Sequence, residues 1–128
     1  MSREKIATGR AYEGKVLHGA GVVVTGRTLY TSGLTSRDAE GNIVGKGDIA
    51  AQIRQAFTNL GDVLRAAGAD YAKVVKYTIY VTDIDAYLRE GRNARPFMVD
   101  KPSSTLVEVR RLADPDLRVE VEAVAALD

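Results

Sequence analysis

The segment from Leu117 to Ala126 alternates between two kinds of side chain, and this alternation strongly constrains the fold. Arg118, Glu120 and Glu122 lie on one side of it. The other side carries only apolar residues, namely Leu117, Val119, Val121, Ala123 and Ala125. Such alternation is typical of a strand with one buried face. It predicts a sheet covered on one side, whose second side either faces water or closes against other subunits. Buried carboxylates would then need partners or a functional role.

A long amphipathic helix is predicted from Ile49 to Ala67. Asp48 can cap its first turn, and Gly68 is well placed to end it. Apolar residues recur at the spacing of one helical face, at Ile49, Ile53, Ala56, Phe57, Leu60, Val63, Leu64 and Ala67.

Two β-rich segments precede this helix. Val16–Val24 and Thr28–Thr35 are separated by a short turn in which Gly26 can adopt a positive φ, and together they predict an N-terminal β-hairpin. The polar, glycine-rich stretch 36–48 predicts a connecting loop, because it lacks the residue pattern of a phosphate-binding loop.

The second half of the chain predicts three strands and one more helix. The strands are Lys73–Thr82, Thr105–Leu112 and Leu117–Ala126. Asp83 or Asp85 can begin the helix, which runs to about Met98 and is bent or ended by Pro96. The order is therefore β-β-α-β-α-β-β, an α+β fold with two helices on one face of a mixed sheet.

Composition limits the function more than it identifies it. The 128 residues predict a single domain over 1–128, and the absence of cysteine excludes disulfides and thiolate catalysis. One histidine excludes a dense His/Cys metal site within one chain. A net charge of +1 without a basic run counts against nucleic-acid binding. No signal peptide or membrane span is visible, so we expect a cytoplasmic protein.

Several short motifs, read together, resemble one known family. They are Leu29–Gly33, Gly41–Val44, Gly47-Asp48 with Gln52, Ala66–Ala69, Val74–Lys76, Tyr80–Asp83, Pro102–Val109 and Val119–Ala123. In this order and spacing they resemble the Rid family (YjgF/YER057c-type, endoribonuclease L-PSP-like) from about Tyr12 onward. The resemblance implies a chorismate-mutase-like fold of the Bacillus type and a homotrimer whose sheets form a barrel, with small-molecule clefts between subunits.

The resemblance also implies a set of site residues. Glu120 matches the family glutamate that positions or activates the attacking water. A second reading makes Glu120 a structural ion-pair partner of Arg118 or of an arginine on the adjacent strand. The substrate-binding positions implied are Tyr12, Ser32, Gly33, Ser104, Thr105 and Leu106. The family reaction is hydrolysis of reactive imines and enamines, which requires neither a metal nor a cofactor.

Ser104 is the main departure from the family pattern. In the family's deaminases this position is an arginine that clamps the substrate carboxylate with two parallel hydrogen bonds. A serine can donate only one neutral hydrogen bond. Arg92, Arg95 and Arg111 are the candidates to supply the missing cation.

Three functions remain open at this point. The first is an imine or enamine deaminase, similar to 2-iminobutanoate/2-iminopropanoate deaminase. The second is a non-catalytic trimer that binds a small molecule. The third is an endoribonuclease or translation inhibitor, against which the near-neutral charge counts.

Overall fold

The computed structural model describes residues 2–15, 20–96, 98 and 100–128, apart from the side chains of Ser2 and Tyr12. Its long helix is α1 (Ile49–Ala66), and α2 (Ile84–Ala86) is a single helical turn. The strands are β1 (Ser2–Ile6), β2 (Gly21–Thr25), β3 (Thr28–Tyr30), β4 (Val74–Val81), β5 (Ser103–Glu108) and β6 (Val119–Ala126).

Four of the strands form one mixed sheet in the order β3-β6-β4-β5. Strand β6 runs antiparallel to both of its neighbours, whereas β4 and β5 are parallel. Parallel neighbours need a crossover connection, and the segment that contains α2 provides it. The predicted α+β class, with helices beside a mixed sheet, is therefore confirmed.

The predicted N-terminal hairpin is wrong as a pairing. Residues 16–19 lie outside the described part of the chain. In the described part, β2 pairs with β1, and β3 pairs with β6. The turn has the expected positive φ of 101° at Gly26, but the C-terminus holds it, since the Leu127 N–H donates to the Arg27 carbonyl at 2.9 Å. Both strands have strand-forming residues, but sequence alone does not show which neighbour each one finds.

Helix α1 begins and ends where the sequence predicts. The Asp48 carboxylate accepts a hydrogen bond from the Ala51 N–H at 3.0 Å, which caps the first turn. Gly68 follows the helix with a φ of 78°, and the Ala69 N–H reaches back to the Leu64 carbonyl at 2.8 Å.

The second helical segment is shorter and less regular than the predicted helix to Met98. After α2 it continues as a π-helical turn, Tyr87–Gly91, and then as a 3-10 turn, Arg92–Ala94. Arg95 is extended, with φ −77° and ψ 152°. The residue before a proline is disfavoured in helical conformation, so Pro96 ends the helix one residue upstream.

The two faces of the sheet have different environments. The apolar side of β6 is buried under α1, and Val119 and Val121 are fully buried with Ile53 and Leu60 of the helix. The other side, which we call the open face, carries no helix among the described elements. It retains exposed apolar side chains, with Val107 37% exposed.

Candidate functional site

Glu120 lies on the open face, at the place where the chain segment after β3 runs beside β6. Backbone hydrogen bonds hold this segment, because the Leu34 N–H donates to the Val121 carbonyl at 2.7 Å and Val121 returns the bond at 2.9 Å. A Cβ placed on Gly33 would be 1.9 Å from Oε2 of Glu120. The structure therefore brings Gly33 and Glu120 together, and Ser32 precedes Gly33 in the chain. Only a glycine at position 33 leaves room for this position of the carboxylate.

The two carboxylates of β6 have different partners. The Tyr80 hydroxyl donates to Oε1 of Glu122 at 2.5 Å. This hydrogen bond, with burial and the negative charges of Glu122 and Glu120, raises the pKa of Tyr80 above its ordinary value. Among the described residues, no side chain donates a hydrogen bond to Glu120, and no arginine forms an ion pair with it. The carboxylate of Glu120 is therefore able to accept a hydrogen bond from a water molecule or a ligand.

Ser104 belongs to the opposite face of the sheet. Strand β5 is in register with β4, so that Ser104 lies beside Tyr77 and Leu106 beside Ile79. On this side the two residues open onto a cavity of about 190 Å³. Its lining is Ile79, Tyr87, Leu88, Arg92, Arg95, Ser104 and Leu106.

The predicted site residues therefore fall into two groups that the structure does not bring together within one chain. Ser104 and Leu106 line the cavity under the sheet, whereas Glu120 lies on the open face with β4 between its strand and β5. Thr105 also lies on the open face, where its hydroxyl accepts a hydrogen bond from Lys76 Nζ at 3.3 Å.

The last predicted position, Tyr12, lies in a 3-10 turn, Ala11–Gly14. Its side chain lies outside the described part of the structure, so its contact with either group stays a prediction. His18 lies outside the described residues as well.

Two of the three candidate arginines lie at the Ser104 cavity. Arg92 and Arg95 both line it. Arg111 lines a different and larger cavity of about 630 Å³, near the turn between β5 and β6. The sequence analysis did not identify Tyr87 and Leu88 as cavity residues. Helical spacing is the signal that places Leu88 and Arg92 on one face, since they lie four residues apart.

The donor chemistry of the site is carboxylate, hydroxyl and guanidinium. In residues 2–15, 20–96, 98 and 100–128, no group of three or more His, Cys, Asp or Glu side chains could hold a metal ion. Within the same part of the chain, no helix is long and apolar enough to span a membrane.

Comparison with known proteins gives a consistent set of relatives. A family model described as Endoribonuclease L-PSP matches residues 17–127. The 2-iminobutanoate/2-iminopropanoate deaminase of Bos taurus is 35% identical over 80% of this chain and 75% of its own length. The enzyme of the same name from Homo sapiens is 31% identical over 98% of this chain and 90% of its own length.

A solved structure shows the same fold. A Rid-family protein of unknown function from Yersinia pestis matches with a TM-score of 0.87 and 32% sequence identity. The match covers 99% of this chain and 100% of the Yersinia protein.

Proposed function

The chain belongs to the endoribonuclease L-PSP family, also called the Rid family, and from this premise we propose that it hydrolyses the C=N bond of small imines or enamines. The substrate class is that of its deaminase relatives, which are named for 2-iminobutanoate and 2-iminopropanoate. Water adds to the imine carbon, and the products are a 2-oxo acid and ammonia.

The observation that carries this proposal is the carboxylate of Glu120. It is half-buried, occupies the space that a Cβ on Gly33 would fill, and has no hydrogen-bond donor among the described residues. A carboxylate in this position can accept a proton from water as the oxygen attacks the imine carbon, and pass it to the nitrogen to give a carbinolamine. It can then take the hydroxyl proton and deliver it to the amino nitrogen, so that the C=O bond forms as the C–N bond breaks and ammonia leaves.

The two groups of site residues suggest where the reaction takes place. Ser104 and Glu120 are on opposite faces of one sheet, so a single chain does not present both to one small ligand. We infer that neighbouring copies in a homotrimer complete the site, with the Glu120 region of one copy facing the Ser104 cavity of the next. The exposed apolar side chains of the open face support such an assembly, since they favour contact with another subunit.

A non-catalytic role remains the second candidate, because Ser104 occupies the position of the family's arginine. Without a charge-assisted clamp, the chain would hold a ligand in a less defined orientation, and orientation supplies much of the rate of a reaction of this kind. Binding without turnover is the outcome that this reading predicts.

The proposal is tested by following formation of 2-oxobutanoate from 2-iminobutanoate, generated in situ by a threonine dehydratase. We expect the protein to accelerate hydrolysis, and we expect Glu120→Gln to lower the rate by about 100-fold or more, because loss of a general base typically costs 10²–10⁴.

The matched control is Glu122→Gln, which changes the neighbouring carboxylate of the same strand. The amide oxygen of the new glutamine can still accept the hydrogen bond from the Tyr80 hydroxyl. If Glu120→Gln and Glu122→Gln both retain the wild-type rate, Glu120 has no part in the mechanism. If the wild-type protein gives only the uncatalysed rate, the non-catalytic reading is favoured. Cleavage of a single-stranded RNA that depends on Glu120 would instead favour the endoribonuclease.

A further inference from the structure

The Ser104 cavity combines positive charge with an apolar wall. Arg92 and Arg95 border one part of it, and Ile79, Leu88 and Leu106 border the rest. At about 190 Å³ it is smaller than the 300–1,000 Å³ typical of pockets for drug-sized ligands. The cavity therefore suits a molecule of few carbon atoms that carries an anionic group.

The two arginines have no acidic partner. Among the described residues, no Asp or Glu forms an ion pair with Arg92 or Arg95. The Arg95 Nη1 donates instead to the Tyr77 hydroxyl, and its guanidinium carbon is 5.9 Å from the centre of the Tyr77 ring. The Tyr77 hydroxyl is not an acidic partner for Arg95, and the remaining N–H groups of the guanidinium can bind an anion.

An unusual backbone conformation places these residues. In the π-helical turn Tyr87–Gly91 the Arg92 N–H bonds to the Tyr87 carbonyl, five residues back. Such turns are rare and frequently occur at functional sites. Gly91 allows the turn to approach α1 closely, because a Cβ there would be 3.3 Å from Ile53 Cγ1. The turn thereby holds Tyr87, Leu88 and Arg92 at the cavity.

The pKa of Tyr87, which lines the cavity, depends on its burial and on both arginines. Tyr87 is 3% exposed, and its burial raises the pKa of its hydroxyl above the ordinary value. The positive charges of Arg95 and Arg92 act in the opposite direction. Tyr87 lines the cavity together with both arginines.

We propose that Arg95, assisted by Arg92, binds the carboxylate of a short-chain 2-oxo or 2-imino acid in this cavity. The two residues would take the role of the family's arginine, whose position is occupied by Ser104 in this chain. The Ser104 hydroxyl adds one neutral hydrogen bond, and the alkyl chain of the ligand lies on Leu88 and Leu106. This inference rests on the proposed function for the identity of the acid. The binding itself does not require turnover.

The experiment is a calorimetric titration of the purified protein with 2-oxobutanoate, the stable product of the proposed reaction. We expect saturable binding, and we expect Arg95→Gln to raise the Kd by about tenfold or more, because a charge-assisted pair of hydrogen bonds is lost. Arg92→Gln should raise the Kd by about threefold to tenfold. The matched control is Arg89→Gln, which removes a positive charge from the same helical segment outside the cavity and should leave the Kd unchanged.

Three measurements keep the outcome decisive if Arg95→Gln does not fold. The side chain of Arg92 is exposed and makes no hydrogen bond within the described residues, so Arg92→Gln tests the charge and leaves the backbone hydrogen bond of the turn in place. Arg95→Lys keeps the positive charge but loses the pair of parallel hydrogen bonds that a guanidinium can make. Its affinity for 2-oxobutanoate should lie between those of the wild type and Arg95→Gln. Butanone, which lacks the carboxylate, should bind far more weakly than 2-oxobutanoate to the wild type.

Wild-type affinity in both Arg92→Gln and Arg95→Lys would overturn the proposal, as would absence of saturable binding by the wild type. These results are distinct from failure of the proposed function. Binding that depends on Arg92 and Arg95 without any hydrolysis would remove the hydrolase and leave this inference in place. Hydrolysis at the wild-type rate in variants of both arginines would leave the hydrolase in place and remove this inference.

Discussion

Glu120 and Glu122 show how strongly the surroundings of a residue decide what it can do. They are identical in type, two residues apart and on the same face of β6. The Tyr80 hydroxyl donates a hydrogen bond to the carboxylate of Glu122, whereas Gly33, which has no side chain, leaves space beside Glu120. A proton acceptor must be free to receive its hydrogen bond, so the difference between the two carboxylates comes from their neighbours.

Gly33→Ala tests this geometry at the scale of one residue. The new methyl group would overlap Oε2 of Glu120 and force the carboxylate to turn away, and we expect hydrolysis to fall by about 100-fold. Backbone strain is not expected, because the φ of Gly33 is not positive, and the free energy of unfolding should change by less than about 1 kcal/mol.

The control for Gly33→Ala is Gly14→Ala, since a Cβ at Gly14 has open space around it. Steady-state hydrolysis and chemical denaturation of both variants are the measurements. Full activity of Gly33→Ala would show that the position of the Glu120 carboxylate does not matter.

At the scale of elements, the helix α1 is tied to the sheet by one fully buried polar side chain, Gln52. Its Nε2 donates to the carbonyls of Gly45, at 3.2 Å, and Asp116, at 2.9 Å. Its Oε1 accepts from the Arg118 N–H at 2.8 Å. Gln52 thus joins the loop before α1 to the start of β6, two residues before Glu120.

Gln52→Leu should lower the free energy of unfolding by about 2–4 kcal/mol, because it leaves buried backbone groups without partners. Urea denaturation measures the change. Gln55→Leu is the control, because Gln55 is only half-buried and, among the described residues, its side chain bonds to that of Asn59 alone. Equal effects of the two substitutions would mean that the connection to β6 contributes nothing.

At the scale of the whole molecule, the open face is the surface that the proposed trimer would bury. Tyr30 is 75% exposed and Val107 is 37% exposed on a sheet surface that also carries Glu120. A lone copy would leave these side chains in water. The proposed trimer would cover them and would bring Ser104 of one copy near Glu120 of the next.

Light scattering coupled to gel filtration tests the assembly. We expect a mass close to three times 13.8 kDa for the wild type and a smaller mass for the double variant Tyr30→Glu, Val107→Glu, because charge in a closed apolar interface is unfavourable. Val23→Glu changes a residue of the separate β1–β2 pair that is 51% exposed, between Val107 and Tyr30, and should keep the trimer. A monomeric wild type would refute the shared site.

The sequence by itself determined the order of the elements from β2 onward, the ends of α1 and the two faces of β6, but it did not predict β1. These features depend on local rules, since helical spacing, capping and strand alternation act within a few residues. Only the tertiary structure decided that β2 pairs with β1 and that the second helix contains a π turn. It also decided that Ser104 lies with Arg92 and Arg95 on the face away from Glu120. Pairing and side-chain proximity depend on contacts between distant segments, and local patterns do not contain that information.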